Sequence, residues 1–337
     1  MRVLNIHGVD DVRLDPRAPP VAGAADVVVA IKACGICGSD LSYIRKGGIN
    51  RPEGGVTPIG HEAAGEVVAV GSAVKDIAVG QRVIINPMMT PSNIGSGGPE
   101  GAFCDQVLVA EARVGAAILP IPDDLPYEVA ALAEPLAVAL HGVNRTGAKP
   151  GDKVAVFGCG PIGLAMVLWL VDRGITDVIA IDLADERLAR ARAMGARATI
   201  NAASENVRER LAQLHGTARA LFLEQVGTDV FMDAAGGPGL VNQIISMGKS
   251  NARLVVTAAY SRPVEISLGM MLINEMSMTT ALGYPTEIPE VVAALPRLRD
   301  KVQSLISHRY RFEDVLEGLK VAGTPQSAKV MVAFDAA

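Results

Sequence analysis

The chain has 337 residues, of which 50% are hydrophobic and 20% charged, and its formal charge is -5. That length exceeds one typical core and that composition excludes a disordered protein, so two globular domains are expected. With an acidic balance and no basic run, no nucleic-acid partner is expected. Because Asp10, Asp11 and Arg13 stand where a secretion signal needs an apolar stretch, the expected location is cytoplasmic.

Up to about residue 145 the sequence reads as short strands punctuated by glycine. Residues 27–31, 65–71, 82–85 and 106–109 have the length and β-branched content of strands, and 86–101 is a loop rich in Gly, Pro, Ser and Asn. A folded-over β domain is expected there rather than a parallel sheet. The texture changes near Lys149-Pro150-Gly151-Asp152. Strand-like runs at 153–157, 177–181, 229–233 and 253–257 now occur with helical segments at 162–173 and 186–194, as βαβ units require. The uncharged run 154–171 is roughly long enough to span a bilayer. Gly158, Gly160, Pro161 and Gly163 break it, so a buried strand, a turn and a buried helix are predicted and no membrane span. After about residue 284 the βαβ rhythm fades, and the last segment is expected to rejoin the first domain.

Residues Gly158-Cys159-Gly160-Pro161-Ile162-Gly163 follow a predicted strand and open a predicted helix, and Asp182 lies 19 positions past Gly163 at the end of the next strand. A lone GxGxxG is weak evidence, but in this setting it is a dinucleotide-binding fingerprint. The first glycine permits the turn, the second lets backbone approach a pyrophosphate, and the third lets helix and strand pack closely. The helix N-terminus offers free N–H groups to the phosphates. Asp182 is placed to accept hydrogen bonds from ribose hydroxyls, and its charge would repel a 2′-phosphate, which predicts NAD over NADP. The bland alternative is a glycine turn with no nucleotide.

Upstream, Cys37 lies in Cys34-Gly35-Ile36-Cys37-Gly38-Ser39-Asp40, and His61-Glu62 in Gly60-His61-Glu62-Ala63-Ala64-Gly65-Glu66. Thiolate, imidazole and carboxylate are the ligand types of a catalytic zinc. The spacing alone is only suggestive, and a single histidine is more often a structural residue. Glu134 is a carboxylate inside the apolar run 132–136, and a buried carboxylate needs a partner. The cysteines are four: Cys34, Cys37, Cys104 and Cys159. With no second CxxC, Cys34 is read as a small packed residue rather than a ligand. A Lewis acid beside a hydride carrier would interconvert an alcohol and a carbonyl.

These residues, with GHEAAGEV, AEPLAVALHG, GCGPIG and DLADERLARARAMGA, carry a resemblance that runs nearly end to end. The chain resembles the zinc-dependent medium-chain alcohol dehydrogenases, in their sorbitol (polyol) dehydrogenase-like branch. The resemblance implies an α/β protein with a GroES-like β-rich catalytic domain, residues 1–145 completed by 285–337, and a doubly wound Rossmann NAD-binding domain, residues 146–284. It implies catalytic zinc on Cys37 and His61, with Glu62 or Glu134 as the carboxylate ligand and Asp40 fixing the His61 ring. Ser39 would begin a proton route from the substrate. Gly158, Gly160, Pro161, Ile162, Gly163, Asp182 and Arg187 match cofactor contacts; Ala258, Ala259, Ala281 and Leu282 match segments lining the nicotinamide. Tyr43, Glu134 and Tyr284 match substrate positions.

Three departures stand out. Ser42 occupies the place of a relay histidine, and Gly283 that of an arginine that would serve a hydroxyl-rich chain, which favours a smaller, less hydroxylated or bulkier apolar secondary alcohol and leaves a sugar alcohol open. The loop from Pro87 to Phe103 has no cysteine, so one zinc per subunit and no structural zinc are expected. The resemblance also implies a small-molecule alcohol or ketone substrate and a homodimer or homotetramer. The rival readings are a metal-free NAD(P)H quinone or enoyl reductase of the same superfamily, and a non-catalytic nucleotide-binding protein.

Overall fold

Strand Val27–Ile36 is the axis of the first unit. Its first three residues are buried on both faces, as a strand covered on each side requires. A computed structural model describes residues 1–50, 55–220 and 223–334 of the chain. They divide into two units, Met1–Glu134 with Ile288–Ala337, and Pro135–Glu287.

In the first unit, Val27–Ile36 pairs antiparallel with Glu62–Val70 on one side and with Lys329–Ala333 on the other. The sheet order runs Ile306–Arg311, Lys329–Ala333, Val27–Ile36, Glu62–Val70, Arg82–Ile85, Ile118–Pro120, and Gln106–Val109 also joins Val27–Ile36. All of these pairings are antiparallel except Ile306–Arg311 with Lys329–Ala333. A three-stranded sheet of Asp11–Pro16, Arg2–Gly8 and Thr57–Pro58 completes the β domain. Its core gathers Leu4, Ile6, Ile31 and Ile118 from the sheets and Phe103 from a loop, with Val315 and Val330 from the C-terminal segment. The last segment thus returns to the first domain, because the apolar strand Lys329–Ala333 fills the open edge of Val27–Ile36. Helices Tyr127–Ala131 and Ala133–Thr146 lie within the stretch read as strand-rich, where a run of Ala and Leu favours helix.

The second unit is a parallel sheet in the order Ala198–Asn201, Val178–Asp182, Val154–Phe157, Val230–Asp233, Arg253–Val256, Ser277–Thr280. Every neighbouring pair is parallel. Counted along the chain this is 3-2-1-4-5-6, the doubly wound Rossmann order, whose switch point lies beside the first strand. The glycine turn follows that strand directly. Helix Pro161–Asp172 begins with proline at its first position, and residues 163–170 are all buried. The apolar run 154–171 is therefore strand, turn and core helix. Among the described residues, no helix is long and apolar enough to cross a membrane.

Candidate active site

In the first unit two turns converge on one point. Cys37 follows strand Val27–Ile36 and caps helix Gly38–Lys46; His61 precedes strand Glu62–Val70 and Glu62 opens it. Asp40 is fully buried and ties the turns together. Its Oδ2 accepts from the Cys37 N–H at 2.9 Å and its Oδ1 from the Gly60 N–H at 3.3 Å. The same Oδ1 stands 3.6 Å from His61 Nδ1, just beyond hydrogen-bond length. The ligand atoms of Cys37, His61 and Glu62 all lie within 4.8 Å of one another, the one such group of three or more among the described residues.

This set fits a zinc ion. Its donors are sulfur, nitrogen and oxygen, and with Nδ1 turned to Asp40 the His61 ring keeps Nε2 on the Ser39 side for a metal. Burial works to lower the His61 pKa, but the negative charges of Asp40 and Cys37 outweigh it and hold that pKa well above its usual range. The Asp40 and Glu62 carboxylates beside this ring are both fully buried, and buried negative charge calls for a cation. Cys37 is half-buried, so the set is open on one side. Ser39 Oγ lies 3.4 Å from His61 Nε2, and Tyr43 is one helical turn further along the same helix. Cys34 is fully buried. Burial first, then the charges of Asp40 and Glu62, push its thiol far up and keep it neutral, as a packed residue should be.

Glu134 is buried at the start of helix Ala133–Thr146 but stands outside the group of three. A further residue enters instead. Lys329, only 2% exposed, donates to both Glu62 oxygens at 2.6 Å and to the Ile36 carbonyl at 3.1 Å. Burial opposes its charge, yet Glu62 foremost, with Cys37 and Glu134, raises its pKa and keeps it an ammonium. The sequence carried a signal for it: one charge in the apolar run 328–333, the same cue that singled out Glu134.

In the second unit an open groove of about 430 Å³ is lined by Gly158, Gly160, Asp182, Arg187, Ala234 and Pro238, among others. Gly158 has φ of +91°, and a Cβ on Gly163 would fall 1.7 Å from the Gly158 carbonyl oxygen. Both positions therefore require glycine. Asp182 does more than face the groove. Its Oδ2 accepts from the Cys159 N–H at 2.7 Å, and its Oδ1 accepts from the N–H groups of Leu183 and Ala184 at 2.8 and 3.0 Å. It thereby holds the glycine turn against the next strand. Asp233, fully buried at the end of its own strand and unforeseen from sequence, makes a matching clasp. It accepts from the N–H groups of Ala235 and Gly236, both at 2.9 Å, and from the Tyr260 hydroxyl at 2.6 Å. Ala258 and Ala259 follow the strand Arg253–Val256. Ala281 is buried, Leu282 is 91% exposed, and Tyr284 is buried.

The two halves match two family descriptions: residues 23–123 the alcohol dehydrogenase GroES-like domain, and residues 161–297 the zinc-binding dehydrogenase. The chain belongs to the zinc-dependent medium-chain alcohol and polyol dehydrogenases. It is 30% identical over 339 residues to (R,R)-butanediol dehydrogenase of Bacillus subtilis (strain 168), covering 94% of each chain. Its identity to sorbitol dehydrogenase of Homo sapiens is 30% over 352 residues, covering 98% of this chain and 95% of that one. The crystal structure of 2R,3R-butanediol dehydrogenase from Bacillus subtilis superposes with a TM-score of 0.86 at 29% identity, covering 98% of this chain and 99% of the other.

Proposed function

We propose that this protein is a zinc-dependent oxidoreductase that moves a hydride between a secondary alcohol or polyol and NAD, giving the ketone. The observation that carries the reading is the mutual placement of Cys37, His61 and Glu62 within 4.8 Å. It is joined to a Rossmann groove bearing Asp182 in the same chain. When bound, zinc polarises the substrate oxygen and NAD carries the hydride.

The residues of the chain do the rest. Cys37 and His61 hold the metal, Glu62 is the carboxylate ligand, and Glu134 is a nearby buried carboxylate for the substrate side. Asp40 orients the His61 ring from its Nδ1 side. Ser39 is the hydroxyl that takes the substrate proton, and with Ser42 in place of an imidazole the proton passes on to water or to the cofactor ribose. Gly158, Gly160, Pro161, Ile162, Gly163 and Arg187 bind the pyrophosphate and adenosine side, and Ala258, Ala259, Ala281 and Leu282 line the nicotinamide. The Asp182 charge at the groove repels a 2′-phosphate, which favours NAD. Tyr43 and Tyr284 contact substrate, and Gly283, lacking the donors of an arginine, favours a short diol or simple secondary alcohol over a sugar alcohol. The loop from Pro87 to Phe103 has no thiol, which supports one zinc per subunit.

A homodimer or homotetramer is supported by the edge strand Ser277–Thr280, largely exposed, and by Leu268 and Leu272, 71% and 78% exposed. The free state of all four cysteines accords with a reducing, cytoplasmic setting. A metal-free quinone or enoyl reductase is not favoured, since Cys37, His61 and Glu62 are all present and lie together.

The test is cofactor reduction with secondary alcohols, diols and polyols, using NAD and NADP in parallel, beside metal analysis of the wild type and Cys37→Ser. NAD-linked oxidation that disappears together with the zinc in Cys37→Ser is expected. Activity that survives Cys37→Ser would sink the metal mechanism, and better turnover with NADP would sink the reading of Asp182.

A further inference from the structure

The Lys329–Glu62 pair is built into three adjacent strands. Lys329 opens strand Lys329–Ala333, Glu62 opens strand Glu62–Val70, and Val27–Ile36 runs between them. Gly35 on that middle strand stands opposite both Glu62 and Met331. A Cβ there would fall 2.1 Å from Glu62 Oε2, so the carboxylate occupies the space that a side chain at position 35 would fill. Gly35 is the notch through which the two charges meet. The three N–H donors of Lys329 are all engaged, two on the Glu62 oxygens and one on the Ile36 carbonyl. Glu62 is fully buried, so water does not screen the pair.

That carboxylate also has an oxygen within 4.8 Å of the Cys37 and His61 donor atoms. One buried anion therefore serves two cations. An ammonium at 2.6 Å from both oxygens draws electron density from the carboxylate and repels a dication that approaches it. We propose that Lys329 is a positioning residue of the metal centre: it neutralises Glu62 in the metal-free protein and competes for it in the loaded one. Glu62 is then the weakest and most readily released of the three ligands. A purely structural ion pair in the same place would change stability when broken but leave the metal affinity where it was.

The inference rests on the zinc reading above, and the experiment separates the two. Apoprotein is titrated with zinc against a chromogenic chelator, zinc release to excess chelator is timed, and the cobalt(II) form gives the ligand-field spectrum. Lys329→Met is expected to tighten zinc by about tenfold or more and to slow its release, since the competing charge is gone. Lys329→Arg, which keeps the charge, should stay near the wild type. Lys329→Met with Glu62→Gln should lose the gain, which shows that the lysine acts through Glu62. Lys329→Gln serves in the same sense if the methionine variant does not fold. Unchanged or weaker zinc binding in folded neutral variants, with an unshifted cobalt spectrum, overturns the proposal. Zinc binding that is equally tight in the wild type and in Cys37→Ser instead overturns the zinc reading itself.

Discussion

Gly35→Ala is the sharpest perturbation of the metal side. The new Cβ would lie 2.1 Å from Glu62 Oε2, 3.2 Å from its Cδ and 3.3 Å from its Cβ. The first contact is more than ~1 Å inside van der Waals distance. Sliding the backbone does not relieve it, because Gly35 is paired with Glu62 on one side and Met331 on the other. The carboxylate must rotate away, which breaks both 2.6 Å contacts to Lys329. Leaving a buried charge unpaired costs about 3–5 kcal/mol. For a unit of this size that is a fall of roughly 10 °C in thermal midpoint. The assay is thermal unfolding of the metal-free protein followed by circular dichroism, with zinc content after dialysis as a second reading. Gly38→Ala is the control: its Cβ meets nothing within 4 Å and it opens a helix, so it should be neutral or stabilising by about 0.5–1 kcal/mol. If metal-free Gly35→Ala melts within about 1 °C of the wild type, the strand notch and the pair across it are misread.

On the cofactor side, Gly160→Ala meets no atom within 4 Å and should fold normally, yet lose NAD affinity by about tenfold or more in calorimetric titration, since a methyl would stand where the pyrophosphate approaches. Gly163→Ala drives a Cβ to 1.7 Å from the Gly158 carbonyl and should instead destabilise the second unit, seen as a lower unfolding midpoint. His215 governs an acid limb of stability. Its side chain is buried, and burial foremost, with the positive charges of Arg197 and Lys153, outweighs Asp177 and pushes its pKa down to about 4. The unfolded state then binds the proton first. Stability is full above about pH 6.5 and is lost as pH falls toward 4, at about 1.4 kcal/mol per pH unit. Denaturant titrations of the wild type and His215→Gln across that range should differ in slope. Parallel slopes would show that this histidine does not set the limb.

The glycine turn and Asp182 were legible because they are local. Tight turn, close helix approach and acid at the next strand end all fall within residues 158–182, and the parallel sheet only had to form for them to converge. Cys37, His61 and Glu62 were legible as ligand types. Their meeting depended on Asp40, whose two oxygens join the Cys37 and Gly60 turns from between them. The apolar surroundings of Glu134 mark it as a carboxylate in need of a partner, and the fold buries it while leaving it outside the group formed by Cys37, His61 and Glu62. Asp233 is likewise one charge in an apolar run, 230–235, and that cue marks a buried acid without telling which loop N–H groups will satisfy it.

Ligand chemistry, cofactor turn and the α/β class were thus decided by residue identity at short range, where a few backbone turns bring the groups together. The neutralising partner of Glu62 was decided by the tertiary structure alone. Lys329 lies 267 positions away. It reaches the site because the last strand of the chain closes the edge of Val27–Ile36 and because Gly35 leaves room between. No local pattern encodes such a pairing; it follows from strand order and from the cost of burying a charge without a partner.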